Sequence, residues 1–317
     1  MRIFYASDVH GSNRCFKKFL NAGRFYDCDA LVLGGDITGK AIVPFVEVAP
    51  GEVHVTFLGK EHVLRGAEEV AALEQRVGDT GYYPHRCTRE EHDALSADSP
   101  RLHALFVEKI VGRVEEWMSL AEERLNGDGA IPCFVNAGND DPAEIDAVIE
   151  SAARVEFLEG RVVELPDGVE LASCGYANMT PWHCPRDVEE PELETRLEAV
   201  ASQVRDASWA IFNFHCPPHD TQIDQGPVLG EDMRMRSTAG GVEMHPVGST
   251  ACRSVIERYQ PLLGFHGHLH ESRGTFKLGR TVCINPGSEY SEGILRAALV
   301  EVNPKKRKLK STQLISG

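Results

Sequence analysis

No apolar stretch in this sequence approaches the roughly 18–20 residues that a membrane span needs, so no such span is expected. None of the nine cysteines falls in a CxxC pair, and an odd, scattered set argues against both a disulfide framework and a zinc knuckle. Positive charge is in deficit: 33 Lys and Arg face 48 Asp and Glu, for a formal net charge of −15. A field of that sign disfavours non-specific binding to nucleic acid or to anionic membrane, although a local cation can still hold a phosphate. No internal repeat or low-complexity tract stands out. The opening MRIFYASDVHG reaches a charge at Asp8, too early for the apolar stretch of a signal peptide, and with unpaired cysteines this predicts a cytoplasmic protein. No sequence signal bears on the oligomeric state.

What is present is enough for a full core. The 317 residues are 42% hydrophobic and 26% charged, which excludes overall disorder and allows two domains or one α/β domain with an insertion. The chain opens β-α-β: a strand over Arg2–Ser7, a helix from Ser12 or Asn13 to about Phe25, and a strand over Ala30–Leu33. Apolar runs without alternation predict strands buried on both faces. Residues 41–130 break this pattern. They predict a hairpin of Val43–Val48 and Glu52–Phe57, then helical stretches near Glu61–Val77, Glu90–Leu95 and Leu102–Leu125, closed by a turn at Asn126–Gly129. We read 41–130 as an insertion within a single 1–317 domain, either a lid or a buttress.

Downstream, strands are expected at Ile131–Ala137, Arg161–Leu165, Val169–Gly175 and Trp209–Phe214. Four more follow at Leu262–Phe265, Arg273–Leu278, Thr281–Ile284 and Ile294–Val302, with helices at Leu193–Val204 and Ser249–Tyr259. Residues 216–248 form a long Pro/Gly-rich loop, a length usually tied to function. The basic run Lys305–Lys310 reads as a solvated hairpin turn.

Chemistry-bearing residues gather after expected strands. Asp8-Val9-His10, Gly34-Gly35-Asp36, Gly138-Asn139-Asp140-Asp141 and Gly267-His268-Leu269-His270 are four such motifs, and His215 directly follows the strand ending at Phe214. On an extended chain, residues two apart face the same way, so Asp8 with His10 and His268 with His270 are expected to point together. Carboxylates, imidazoles and a carboxamide collected at the carboxyl ends of strands suit borderline divalent metals.

The set resembles the calcineurin-like metallophosphoesterase superfamily, whose motifs run DxH…GD…GNxD…H…GHxH. Asn285-Pro286-Gly287-Ser288 is similar to a further segment common there. The resemblance implies a four-layer α/β/β/α sandwich of two mixed sheets. It also implies two divalent ions, Mn or Fe foremost and Zn as an option. One ion would take Asp8, His10 and His270, the other Asn139, His215 and His268, with Asp36 between them. Such a pair turns a shared water into a bridging hydroxide for in-line attack on a phosphoester. The ligand set is complete without His266, which we read as structural. His54, His62, His85, His92 and His103 in the insertion show no ligand-like spacing.

Two departures matter. Many relatives carry His where this chain has Asp140, at a position usually assigned to protonating the leaving group. Asp140 itself, His219 nearby, or no acid at all are the three readings; the last favours diesters or activated esters over alkyl monoesters. The second departure is the 103-residue separation of Asp36 and Asn139, which the insertion accounts for. The expected function is metal-dependent phosphoester hydrolysis. Its alternatives are a protein or small-molecule phosphomonoesterase, and a scaffold of the same fold without turnover.

Overall fold

Ser12 starts helix α1 (Asn13–Phe25) by accepting a hydrogen bond from the Cys15 amide, and α1 carries the chain from strand Arg2–Ala6 to its parallel neighbour Ala30–Leu33. In the computed structural model, which describes residues 1–127, 129–230 and 232–317, these strands lie inside a six-stranded mixed sheet. Its order is Lys308–Ser316, Arg296–Asn303, Arg2–Ala6, Ala30–Leu33, Cys133–Val135 and Val155–Phe157. Side-chain alternation sorts its two faces. Phe4, Leu31 and Leu33 face α1, whereas Ile3, Tyr5 and Val32 face the other way.

The segment 41–130 builds its own four-stranded sheet, ordered Lys60–Arg65, Glu52–Phe57, Ile42–Ala49 and Tyr83–Thr88. Phe45, Val55 and Phe57 bury one face of it against Val70, Leu73 and Val77 of α2 (Ala67–Asp79). The helix expected over Glu61–Val77 is therefore half strand. Leu58 and Gly59, both at positive φ, make a two-residue turn that returns 60–65 along 52–57, which the charged residues of KEHVLR concealed. The strand Tyr83–Thr88 was not expected either. It pairs in parallel with Ile42–Ala49, a long-range contact that no local pattern signals. Thr88 then starts α3 (Arg89–Ala97) with a capping box, and Asp98 caps α4 (Ser99–Arg124). Of the turn expected at Asn126–Gly129, Asp128 lies outside the described residues.

Helix α4 does not stand apart from the rest. Its Trp117 stacks on Phe16 of α1 at 4.2 Å between ring centroids and donates to Asn13 Oδ1 at 2.7 Å. Ile110, Val114 and Ala121 join the same core as the first sheet.

After the short α5 (Asp146–Glu150) and the strand Val155–Phe157, which went unexpected at three residues, the chain builds a second six-stranded sheet. Its order is Gly274–Leu278, Thr281–Asn285, Leu263–Phe265, Ala210–Phe214, Val169–Cys174 and Val162–Leu165. Leu171, Ile211 and Phe265 meet Ile3, Tyr5 and Val32 of the first sheet, and Tyr5 stacks on Phe265 at 4.2 Å. The outer face, with Phe212 and Phe214, buries Leu193 and Leu197 of α6 (Glu190–Ala201) and Val255 and Ile256 of α7 (Thr250–Tyr259). The loop 216–248 holds two short ladders, Gln225–Pro227 with Met244–Pro246 and Ser237–Thr238 with Gly241–Val242.

Candidate metal centre

Each motif sits just past the end of a strand, where the backbone turns sharply. Asp8, His10, Asp36 and His268 all hold positive φ, between 38° and 66°. Non-glycine residues rarely occupy this region, at a cost of about 1–3 kcal/mol each, and it is typical of functional loops. The reason expected for the pairing of Asp8 with His10, and of His268 with His270, is thus corrected. They converge because left-handed turns aim them, not because an extended chain alternates. Two glycines permit the approach. A Cβ on Gly138 would lie 2.2 Å from Asp36 Oδ1, and one on Gly267 would lie 2.2 Å from Asp8 Oδ2.

The seven residues come together in two groups. In the first, Asp8 Oδ1 lies 3.5 Å from His270 Nε2, which is 3.0 Å from His10 Nε2. In the second, Asp36 Oδ1 lies 3.3 Å from His215 Nε2, and Asn139 Oδ1 is 2.9 Å from His268 Nδ1. Asp36 joins the two, its other oxygen standing 3.6 Å from His10 Nε2.

The donor set fits divalent cations. His215 Nε2, on the Asp36 side of the ring, is buried and lacks a hydrogen-bond partner among the described residues, an arrangement a metal–nitrogen bond would satisfy. Burial pushes His10 down to about 3 and His268 down to about 4, so both imidazoles are neutral at ordinary pH, the form that can coordinate a cation. His215 behaves oppositely. Against the effect of burial, the Asp36 and Asp8 carboxylates lift it to about 10. Despite their own burial, Asp8 and Asp36 are held below the usual carboxylate range by the facing imidazoles.

A supporting layer fixes these groups. Asp141 accepts from the amides of Ile37, Thr38 and Gly138 at 2.7–3.0 Å, tying the Asp36 loop to the Asn139 loop. Arg186 donates to the Asp141 carbonyl at 2.9 Å. Asn285 Nδ2 donates to the carbonyls of Gly267 and Leu269, and Ser288 Oγ donates to that of Asp8 at 2.6 Å. Asp187 accepts from Asn139 Nδ2 at 2.7 Å, which turns Asn139 Oδ1 toward His268.

Asp140 lies at the rim, 3.8 Å from His10 Nδ1 and 3.0 Å from Lys40 Nζ. Lys40 was not anticipated, since nothing in the sequence marks a lysine four residues beyond Asp36. Burial opposes its charge, yet the Asp140 and Asp36 carboxylates hold its ammonium above the ordinary lysine value. Tyr290 covers His10 with its ring 4.7 Å away. His219 is set apart on another turn. Its Nδ1 is 3.8 Å from the buried Asp224, and it joins none of the ligand groups found among the described residues. His266 is buried between carbonyls, with Nδ1 2.7 Å from Phe214 O, in keeping with a structural part.

Two stacked mixed sheets carry a buried Asp/His cluster at their strand ends, and the motifs that supply it are the ones in which the sequence resembles the calcineurin-like metallophosphoesterases. Comparison with solved structures supports the fold. The Thermus thermophilus protein TT1561 aligns at a TM-score of 0.51 and 14% identity, over 98% of this chain and 97% of that one. A second solved chain reaches 0.54 at 15% identity, over 99% and 98% of the two chains. In sequence, an uncharacterized protein of Methanocaldococcus jannaschii is 28% identical over 151 residues, 47% of this chain and 61% of that protein. The chain thus matches less than two thirds of that relative's length. No family model matches.

Proposed function

We propose that this protein is a metal-dependent phosphoester hydrolase acting on phosphodiester or nucleotide-type substrates. The observation that carries the proposal is the convergence of Asp8, His10, Asp36, Asn139, His215, His268 and His270 around a buried site where His215 Nε2 has no hydrogen-bond partner among the described residues. Asp8, His10 and His270 would hold one divalent ion and Asn139, His215 and His268 the other, with Asp36 shared. Bound there, the two ions supply Lewis acidity toward phosphate oxygens and lower the pKa of a coordinated water.

The chain's own residues do the positioning. The Asp141 and Asn285 networks hold the loops in their left-handed turns, so the ligands are aimed before any ion arrives. Lys40 neutralises Asp140, whose charge would otherwise repel an incoming phosphate. With Asp140 ion-paired and His219 held at Asp224, we assign no leaving-group acid, which favours esters with a good leaving group. A phosphomonoesterase is the second reading, because Lys40 adds a cation suited to a dianionic phosphate.

The test is turnover of a phosphoester panel by protein loaded in turn with Mn, Fe or Zn, beside an Asp36→Asn variant. Diester hydrolysis lost by at least about 100-fold in the variant is expected. A fully metallated wild-type protein inactive on every ester would reject the hydrolase in favour of a scaffold.

A further inference from the structure

Of the three tryptophans, Trp117 and Trp209 are 2% and 6% exposed, whereas Trp182 is 66% exposed. A bare indole is a large apolar surface left in water. Its loop is nevertheless firmly fixed. One oxygen of Asp187 accepts from the Thr180 amide at 3.1 Å, the Thr180 hydroxyl at 2.5 Å and the Cys184 amide at 2.9 Å. The other oxygen accepts from Asn139 Nδ2 at 2.7 Å, so the loop that carries Trp182 is anchored on a member of the ligand cluster. Trp182 is two residues from each of Thr180 and Cys184, which limits its backbone to within about 7 Å of both. Asp140, next in the chain to Asn139, is 3.0 Å from Lys40. An exposed, anchored aromatic therefore stands one loop away from the candidate metal centre.

We infer that Trp182 is a stacking platform for a heteroaromatic group of nucleobase type carried by the phosphoester. Every base has a π-face, so such a platform selects nucleotides as a class without reading base identity. The inference rests on the hydrolase reading, but its test does not depend on turnover.

Calorimetric binding of adenosine 5′-monophosphate and of ribose 5-phosphate to the metal-loaded protein separates base from phosphate recognition. Trp182→Ala is expected to weaken adenosine 5′-monophosphate on the order of ten-fold, and Trp182→Phe by less. Ribose 5-phosphate should bind all three proteins alike. Equal affinity of wild type and Trp182→Ala for adenosine 5′-monophosphate overturns the inference, as does no preference of the wild type for it over ribose 5-phosphate. The selective loss in a protein that hydrolyses nothing would uphold the platform while rejecting the hydrolase.

Discussion

Asp187 shows how much one side chain outside the ligand set can control. A carboxamide has two ends of opposite hydrogen-bonding sense, and a ligand Asn must present its oxygen. Asp187, acceptor-only when ionised, takes the Asn139 Nδ2 donor and leaves Oδ1 facing His268. In Asp187→Ala that orientation is lost, and the Thr180 and Cys184 donors lose their acceptor too. Such outer partners typically contribute about 10–100-fold to metal affinity. We expect Asp187→Ala to weaken one of two ion-binding steps by about that factor and to leave the other unchanged, as read by metal titration. Equal weakening of both steps would mean general damage instead. The motif Asn139 was legible in the sequence, whereas Asp187 was not. It lies 48 residues away in no recognisable pattern, and only the loop's return to the sheet edge joins the two.

Among the elements, α4 ties the insertion to the site. Arg113, buried on its inner face, donates to the Gly11 carbonyl at 2.7 Å, next in the chain to His10, and lies over the Tyr83 ring at 5.2 Å. Tyr83 accepts from the Gly39 amide at 2.7 Å, on the loop that leaves Asp36. The His10 and Asp36 loops thus rest partly on residues 41–130, as a buttress would require. Replacing Arg113 with Met keeps much of its apolar stem but leaves the buried Gly11 carbonyl without this donor. A loss of about 1–3 kcal/mol is expected, measurable as a shift in the denaturation midpoint with an unchanged slope. A Met variant as stable as wild type would show that α4 does not support the His10 loop. The helix itself was readable from its period. Its partner was not, because periodicity names a buried face without saying what buries it.

At the level of the whole molecule, the C-terminal hairpin closes the first sheet by pairing its last strands beside the first. Glu301 is the ionic clasp of this arrangement, meeting Lys310 Nζ at 2.6 Å and Arg2 Nη2 at 2.7 Å. Those two cations hold the Glu301 carboxyl down at about 2. A carboxyl depressed on folding stabilises the protein fully above its unfolded value, near about 4.3, and the contribution fades as pH falls toward the folded value. Because the partners are largely exposed, the effect is at most about 1 kcal/mol. Glu301→Gln should therefore lower the unfolding midpoint at about pH 7, and the gap from wild type should narrow from about pH 5 to about pH 3. A gap that stays constant or widens on acidification would show that the pair is not the source.

Strand and helix positions in the α/β core, and the five motif elements that carry the seven clustered residues, came from local apolar runs, caps and short spacings, all of which act within a few residues. Asp8 and His270 could be named from the chain alone, together with the class of chemistry they suit. Their mutual placement could not. It needed two sheets to stack through Tyr5 and Phe265, and left-handed turns that no pattern announces. Lys40, Asp187 and the parallel pairing of Tyr83–Thr88 with Ile42–Ala49 were likewise decided only in three dimensions. Contacts between distant segments depend on the packing of whole layers, and one-dimensional spacing carries no record of that.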